Sequence, residues 1–218
     1  MSSTGMTFTT LQQDVRRYLE RGQSLAADPT VFEQIPRLIT LAERRIALEL
    51  KIQGFINPVT TALVAGVSVY PKPDRWRDTI SVQIGTGGAN ETRKTLLTRS
   101  YEYLRSYWPD ATQTGEPVFY ADYNYNNWLI APTPDEAYPA EILFYQLPEL
   151  LSEEVQTNWI TDYAPQLLLY ATLLEATPFL KNDERINTWQ TMYDRTAAMV
   201  NGEDLAKILD RSAVREGA

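Results

Sequence analysis

From Trp159 to Leu180 the chain reads WITDYAPQLLLYATLLEATPFL, and between Tyr163 and Leu174 only Gln166 and Thr172 interrupt a run of apolar and tyrosine side chains. A helix that is apolar on nearly every side has no face to give to water. The segment therefore predicts the central rod of a helical bundle. Pro165 fits a first turn, where its missing N–H is not needed, behind a cap at Thr161 or Asp162, and Pro178 marks the far end. About ten residues between the prolines are too few for a bilayer, which needs roughly 20. A second helix is expected at once, opened by Asn182-Asp183-Glu184. Its apolar positions Ile186, Trp189, Tyr193, Ala197 and Val200 step by three or four residues until Asn201-Gly202 ends it. The two should form an antiparallel hairpin, with Trp189 as its wedge.

The same period recurs near the start of the chain. A helix is predicted from Thr10 to about Arg21, with Leu11, Val15, Tyr18 and Leu19 on its apolar side and Thr10 and Gln13 at capping-box spacing. A turn around Val31 and Phe32 follows, and Pro36 then opens a longer helix. That helix buries Leu38, Ile39, Ala42, Ile46 and Leu50 and leaves Glu43, Arg44, Arg45 and Glu49 largely outside the stripe. Six positions apart, Glu43 and Glu49 point to different sides, which argues against a catalytic carboxylate pair.

From Phe55 the period falls to two. Thr60 to Val64 and Val67 to Tyr70 flank Ala65-Gly66 as a tight hairpin, and Thr79 to Ile84 alternates with Ile80, Val82 and Ile84 on one face. The glycine-rich GTGGANETRK lacks phosphate-loop spacing and reads as a hairpin loop. A short strand at Thr95 to Thr98 precedes SYEYLRSYWPD, a helix capped by Ser100 and stopped by Pro109, with Tyr101, Leu104 and Trp108 on one face. Strands at Val118 to Tyr123, Trp128 to Ala131 and Ala140 to Leu147 complete the middle, the first two joined by an asparagine turn that tolerates positive φ. The fold class is thus α+β. Residues 1–54 and 149–218 form a helical bundle, and residues 55–148 form a β-rich antiparallel insertion between them.

Composition narrows the chemistry. With neither cysteine nor histidine in 218 residues, thiol nucleophiles, Cys/His zinc sites and histidine acid-base work are gone. No catalytic residue, cofactor or metal is expected. MSSTGMTFTT has neither the basic start nor the apolar core of a signal peptide, so folding in a cytoplasm is expected. The net charge is −8, yet residues 106–180 hold eleven acids and no lysine or arginine, which leaves +3 on the rest. Such a stretch repels phosphate rather than gripping it. The aromatic and amide cluster YADYNYNNW, with Tyr123, Tyr125 and Trp128, is the candidate contact surface, for a protein partner or for a glycan stacked on the rings, and packing within the sheet is the other reading of the same side chains. A glycan-binding or carboxylate-based glycan-cleaving protein is the alternative reading of the chain. The tail from Glu203 carries Leu205, Ile208 and Leu209 on one face of a short helix that would order on a partner.

Four stretches, LITLAERRIALELK, SYEYLRSYWPD, YNYNNWLIAPTPDEAYPAEILFYQLP and TNWITDYAPQLLLYATLLEATPFLKNDERINTWQTMYDR, together make the chain resemble the adaptor, or head-to-tail connector, proteins of tailed bacteriophages. The resemblance implies a structural virion protein. It would assemble as a ring, usually of twelve copies, beneath the portal protein at the head–tail junction, and extend the DNA channel without specific binding. It would also present a platform to a tail or nozzle protein. In such proteins the C-terminal segment commonly reaches along the portal, which would give Leu205, Ile208 and Leu209 a role.

Overall fold

The computed structural model describes residues 5–85, 92–179 and 184–213, and the side chains of 203–213 are not among the features described. The loop at 86–91 and the expected caps Asn182 and Asp183 lie outside the described residues. The chain divides into two compact units, residues 1–55 with 147–218 and residues 56–146. It is an α+β protein in which helices from both chain ends flank a central antiparallel β-rich region.

The helical unit begins with α1 (Phe8–Leu19), two residues earlier than the spacing predicts, because Thr7 and Thr10 form the capping box. Phe8, Leu11, Val15 and Leu19 are buried, whereas Tyr18 turns out to solvent. Helix α2 (Pro29–Glu49) also starts early. Asp28 accepts a hydrogen bond from the Val31 N–H and Pro29 occupies the first turn, so Pro36 lies inside the helix rather than at its start. An interior proline costs about 3 kcal/mol. Burial of Val31 and Ile35, which extend the apolar seam across the proline, offsets it at roughly 2 kcal/mol each.

The apolar stretch is divided. Asn158 caps α4 (Trp159–Tyr163) through the N–H groups of Ile160 and Thr161, Ala164 leaves the helical region, and Pro165 restarts the chain as α5 (Pro165–Glu175). A residue before proline is disfavoured in α geometry, so the cap belongs to Asn158 and the proline marks a joint. Leu167, Leu168, Leu169, Ala171, Leu173 and Leu174 are buried, and α5 packs against α1, α2, α4 and α6 (Ile186–Ala213). Its approach and first turn are wet: Tyr163 is 73% exposed, and Gln166 is exposed as well. Trp189 and Tyr193 anchor α6, which continues through Gly202 instead of ending there. An interior glycine weakens a helix by only about 1 kcal/mol, too little to stop one already propagating.

In the β unit two four-stranded sheets face each other. The first has the order β1 (Ile56–Leu63), β8 (Tyr138–Gln146), β3 (Trp76–Ile84), β4 (Lys94–Thr95). The second has the order β2 (Val69–Pro71), β7 (Asn127–Ala131), β6 (Phe119–Asn124), β5 (Leu97–Thr98). β1 runs antiparallel to β8 from Ile56 opposite Tyr145 to Leu63 opposite Tyr138. The expected hairpin at Ala65-Gly66 does not form, because β1 and β2 pair in different sheets. The corner between them is stapled by Tyr70, whose hydroxyl contacts Val64 and Val67. Leu63, Val82, Ile84, Tyr120, Trp128 and Ile142 fill the space between the sheets.

On the outer side of the second sheet, α3 (Tyr101–Tyr107), capped by Ser100, lays Leu104 on Ala121, Leu129 and Ala131. The β6–β7 turn is held by the Asn124 carboxamide, which accepts from the Asn126 N–H and Asn127 Nδ2, and no asparagine among the described residues has positive φ.

Alternation fails at two places in β3, between Trp76 and Asp78 and between Thr79 and Ser81. Thr79 faces Phe144 and Ser81 faces Leu143, so Ile80 is an extra residue, a β-bulge, and lies 38% exposed. The bulge turns Thr79 inward, where its hydroxyl oxygen accepts both the Trp76 and the Trp128 indole N–H, at 3.0 and 2.9 Å. Thr79→Val, equal in shape, leaves two partly buried donors without an acceptor and is expected to cost about 2 kcal/mol in urea unfolding, whereas Thr79→Ser keeps the acceptor and should cost less than half of that.

Candidate interaction surfaces

Glu43 is fully buried, not on the solvent side of α2. On the helical net it lies between Ile39, Ile46 and Ala47, and that apolar surround was the signal in the sequence. Its carboxylate accepts from the Leu151 N–H at 3.2 and 3.1 Å and from Asn158 Nδ2 at 2.6 Å, and Asn158 Nδ2 also donates to the Glu149 carbonyl. Burial pushes the carboxyl up to about 7, against the pull of the two hydrogen bonds. Glu49 serves elsewhere: it pairs with Arg45 and accepts from the Tyr193 hydroxyl, whose ionisation burial and that carboxylate push up. The two acids have separate partners. Glu43 works as a clamp on the chain returning to the bundle.

The cluster at 120–128 is split by the pleat. Tyr120 and Trp128 point between the sheets, and Trp128 is only 2% exposed, so it is a core residue and offers no face to a partner or a sugar ring. Tyr123 and Tyr125 remain outside at 42% and 71%. Tyr125 meets the edge of Trp76. Lys72 is held over the same indole, 3.4 Å from the ring centroid, while it bonds Asp122 and the Asn124 carbonyl. Tyr123 rests against Tyr101, Tyr103 and Tyr107 stack on each other, and both of those meet the edge of Phe119. Arg99 and Arg105 lie over these rings. Tyrosine and arginine at such density are the composition of contact surfaces. Sequence reasoning reached Tyr123 and Tyr125 but missed the α3 tyrosines, which a helical pattern assigns to packing.

Leu205, Ile208 and Leu209 fall within α6, and their side chains lie outside the described part. Val200 lies beside Tyr163 and Pro165 at the start of α5, so α6 passes the end of that helix before it finishes. Among the described residues no group of acids could hold a metal ion, and no helix is long and apolar enough to cross a membrane.

No curated protein matches the chain. A family model, SU10 adaptor protein, matches residues 6–215, nearly the whole length. With its helices at both ends, its β-rich middle and its tyrosine-rich outer face, the chain belongs to the SU10 adaptor protein family, whose general role is head-to-tail connection in the phage virion.

Proposed function

We propose that this adaptor is a non-enzymatic structural subunit that closes into a ring, of twelve copies, beneath the portal protein. It is assembled in the host cytoplasm, extends the DNA channel and offers its β unit to a tail or nozzle protein. The observation that carries the reading is the far end of α6. Thirteen residues, 201–213, follow Val200 in the helix, about 20 Å of it, and nothing lies within 4 Å of the Cβ position at Gly202. A helical segment of that length is marginal alone in water, and a portal surface that takes up Leu205, Ile208 and Leu209 would hold it. The eleven acids of residues 106–180 support passage of DNA without a grip, since they repel phosphate.

Electron microscopy of purified portal mixed with the full chain tests this. A ring of adaptor density on the portal is expected. A chain ending at Gly202 should lose only the helical ellipticity of the eleven removed residues 203–213 and keep its unfolding midpoint, but lose at least tenfold in portal retention. Portal decorated equally by the shortened chain would refute the assignment of α6.

A further inference from the structure

Resting on the ring reading, we propose that the aromatic and arginine face of α3 in one copy receives the β7–β8 loop, Asp135 to Ala137, of the neighbouring copy. Tyr101 rests against Tyr123 and Tyr103 stacks on Tyr107, and all four rings remain 37% to 48% exposed. Arg99 donates to the Thr98 carbonyl and Arg105 to the Tyr101 hydroxyl, and neither has a carboxylate partner among the described residues. Glu102 is the one acid of α3. An occupant that brings carboxylates would complete these guanidinium groups.

The chain itself carries suitable ones. In the β unit Glu116, Asp122 and Glu141 are engaged by Lys94, Lys72 and Arg93. Asp135, Glu136 and Ala137 are three consecutive exposed residues, and the two acids have no cationic partner among the described residues. Their loop is already held in shape: the Gly66 N–H donates to the Pro134 carbonyl, Thr133 Oγ1 to the Ala111 carbonyl, and the Tyr138 hydroxyl to Asp135. A stiff loop loses little entropy on docking. The two patches differ in composition, one aromatic and basic, the other acidic. Tyr101 and Tyr123 lie toward the β6–β7 turn, whereas Tyr103 and Tyr107 rest on Phe119, which pairs with Ala131 at the end of β7 that the acidic loop follows. A contact that closes by rotation needs two unlike patches of this kind on each subunit.

The absence of cysteine makes the contact directly readable. Chains carrying Ser106→Cys and chains carrying Ala137→Cys, both at exposed positions, are mixed with portal, mildly oxidised and separated on non-reducing gels, with the same samples imaged. Mixed disulfide dimers are expected at many times the level given by either variant alone. Arg99→Glu with Arg105→Glu should lower their yield on the order of tenfold, and Asp135→Arg with Glu136→Arg in the partner chain should restore it. Rings on the portal without mixed dimers would overturn the loop as occupant and leave the ring intact. Mixed dimers without rings would keep this contact and overturn the ring. Dimers of Ser106→Cys with itself would replace the proposed contact with a two-fold one.

Discussion

Glu43→Gln is expected to remove a pH dependence that the wild-type protein carries in its stability. The ordinary value of 4.5 for this carboxyl rises to about 7 in the folded chain, so between those two values the folded state binds a proton that the unfolded state has released. Stability from this group is therefore complete below about pH 4.5 and lost as pH rises through about 7. At roughly 1.4 kcal/mol per unit, the loss amounts to about 3 kcal/mol. Urea titrations at pH 5 and pH 8 measure it as the change in the difference between wild type and Glu43→Gln, which cancels the other carboxylates. Glu43→Ala adds a second effect: the Leu151 N–H and Asn158 Nδ2 lose their acceptor inside the bundle, which should cost about 2 kcal/mol at pH 8 and about 3 more at pH 5. Equal wild-type and Glu43→Gln slopes between the two pH values would mean that the carboxyl titrates as if in water.

Trp189→Ala should be the most damaging change in the second half of the chain, at about 3 to 5 kcal/mol. Among the described residues of α6, Trp189 and Tyr193 are the buried side chains, at 4% and 3% exposure, so the tryptophan supplies most of the apolar area that docks this part of the helix on α5. Met199→Ala, at a position 60% exposed, is the control and should cost less than about 0.5 kcal/mol. A loss below about 1 kcal/mol for Trp189→Ala would mean that α6 is held by other contacts.

Much of the architecture was legible because apolar periodicity survives in single sequences. The rod at Leu167 to Leu174, the stripe through Trp189 and Tyr193, the Ser100 cap and the change of period after Phe55 all appear in the structure. What was misread depends on relations between distant residues. Pro36 resembles a helix start until Asp28 and Pro29 are weighed as the better one, and Asn201-Gly202 resembles a stop where propagation simply runs on. Nothing local distinguishes a hairpin at Ala65-Gly66 from a corner between two sheets, since pairing with β8 and β7 decides it. The bulge at Ile80 inverts a clean alternation for the sake of two indoles, one of them 49 residues away. The contact surface was legible only in part, for the same reason: Trp128 and Tyr125 are alike as letters, and the pleat sends one inward and the other out.

The antiparallel register of β1 and β8 has an evolutionary consequence. Ile56, the first residue of the β unit, lies directly across a ladder from Tyr145, one residue before its last, so the chain departs and comes back at neighbouring points, about 5 Å apart as paired strands are. A module whose two ends meet in this way can be enlarged, trimmed or exchanged by recombination without asking the host scaffold to stretch. If the β unit meets the tail, as proposed, a phage lineage can refit it to a new tail while keeping the helical unit unchanged.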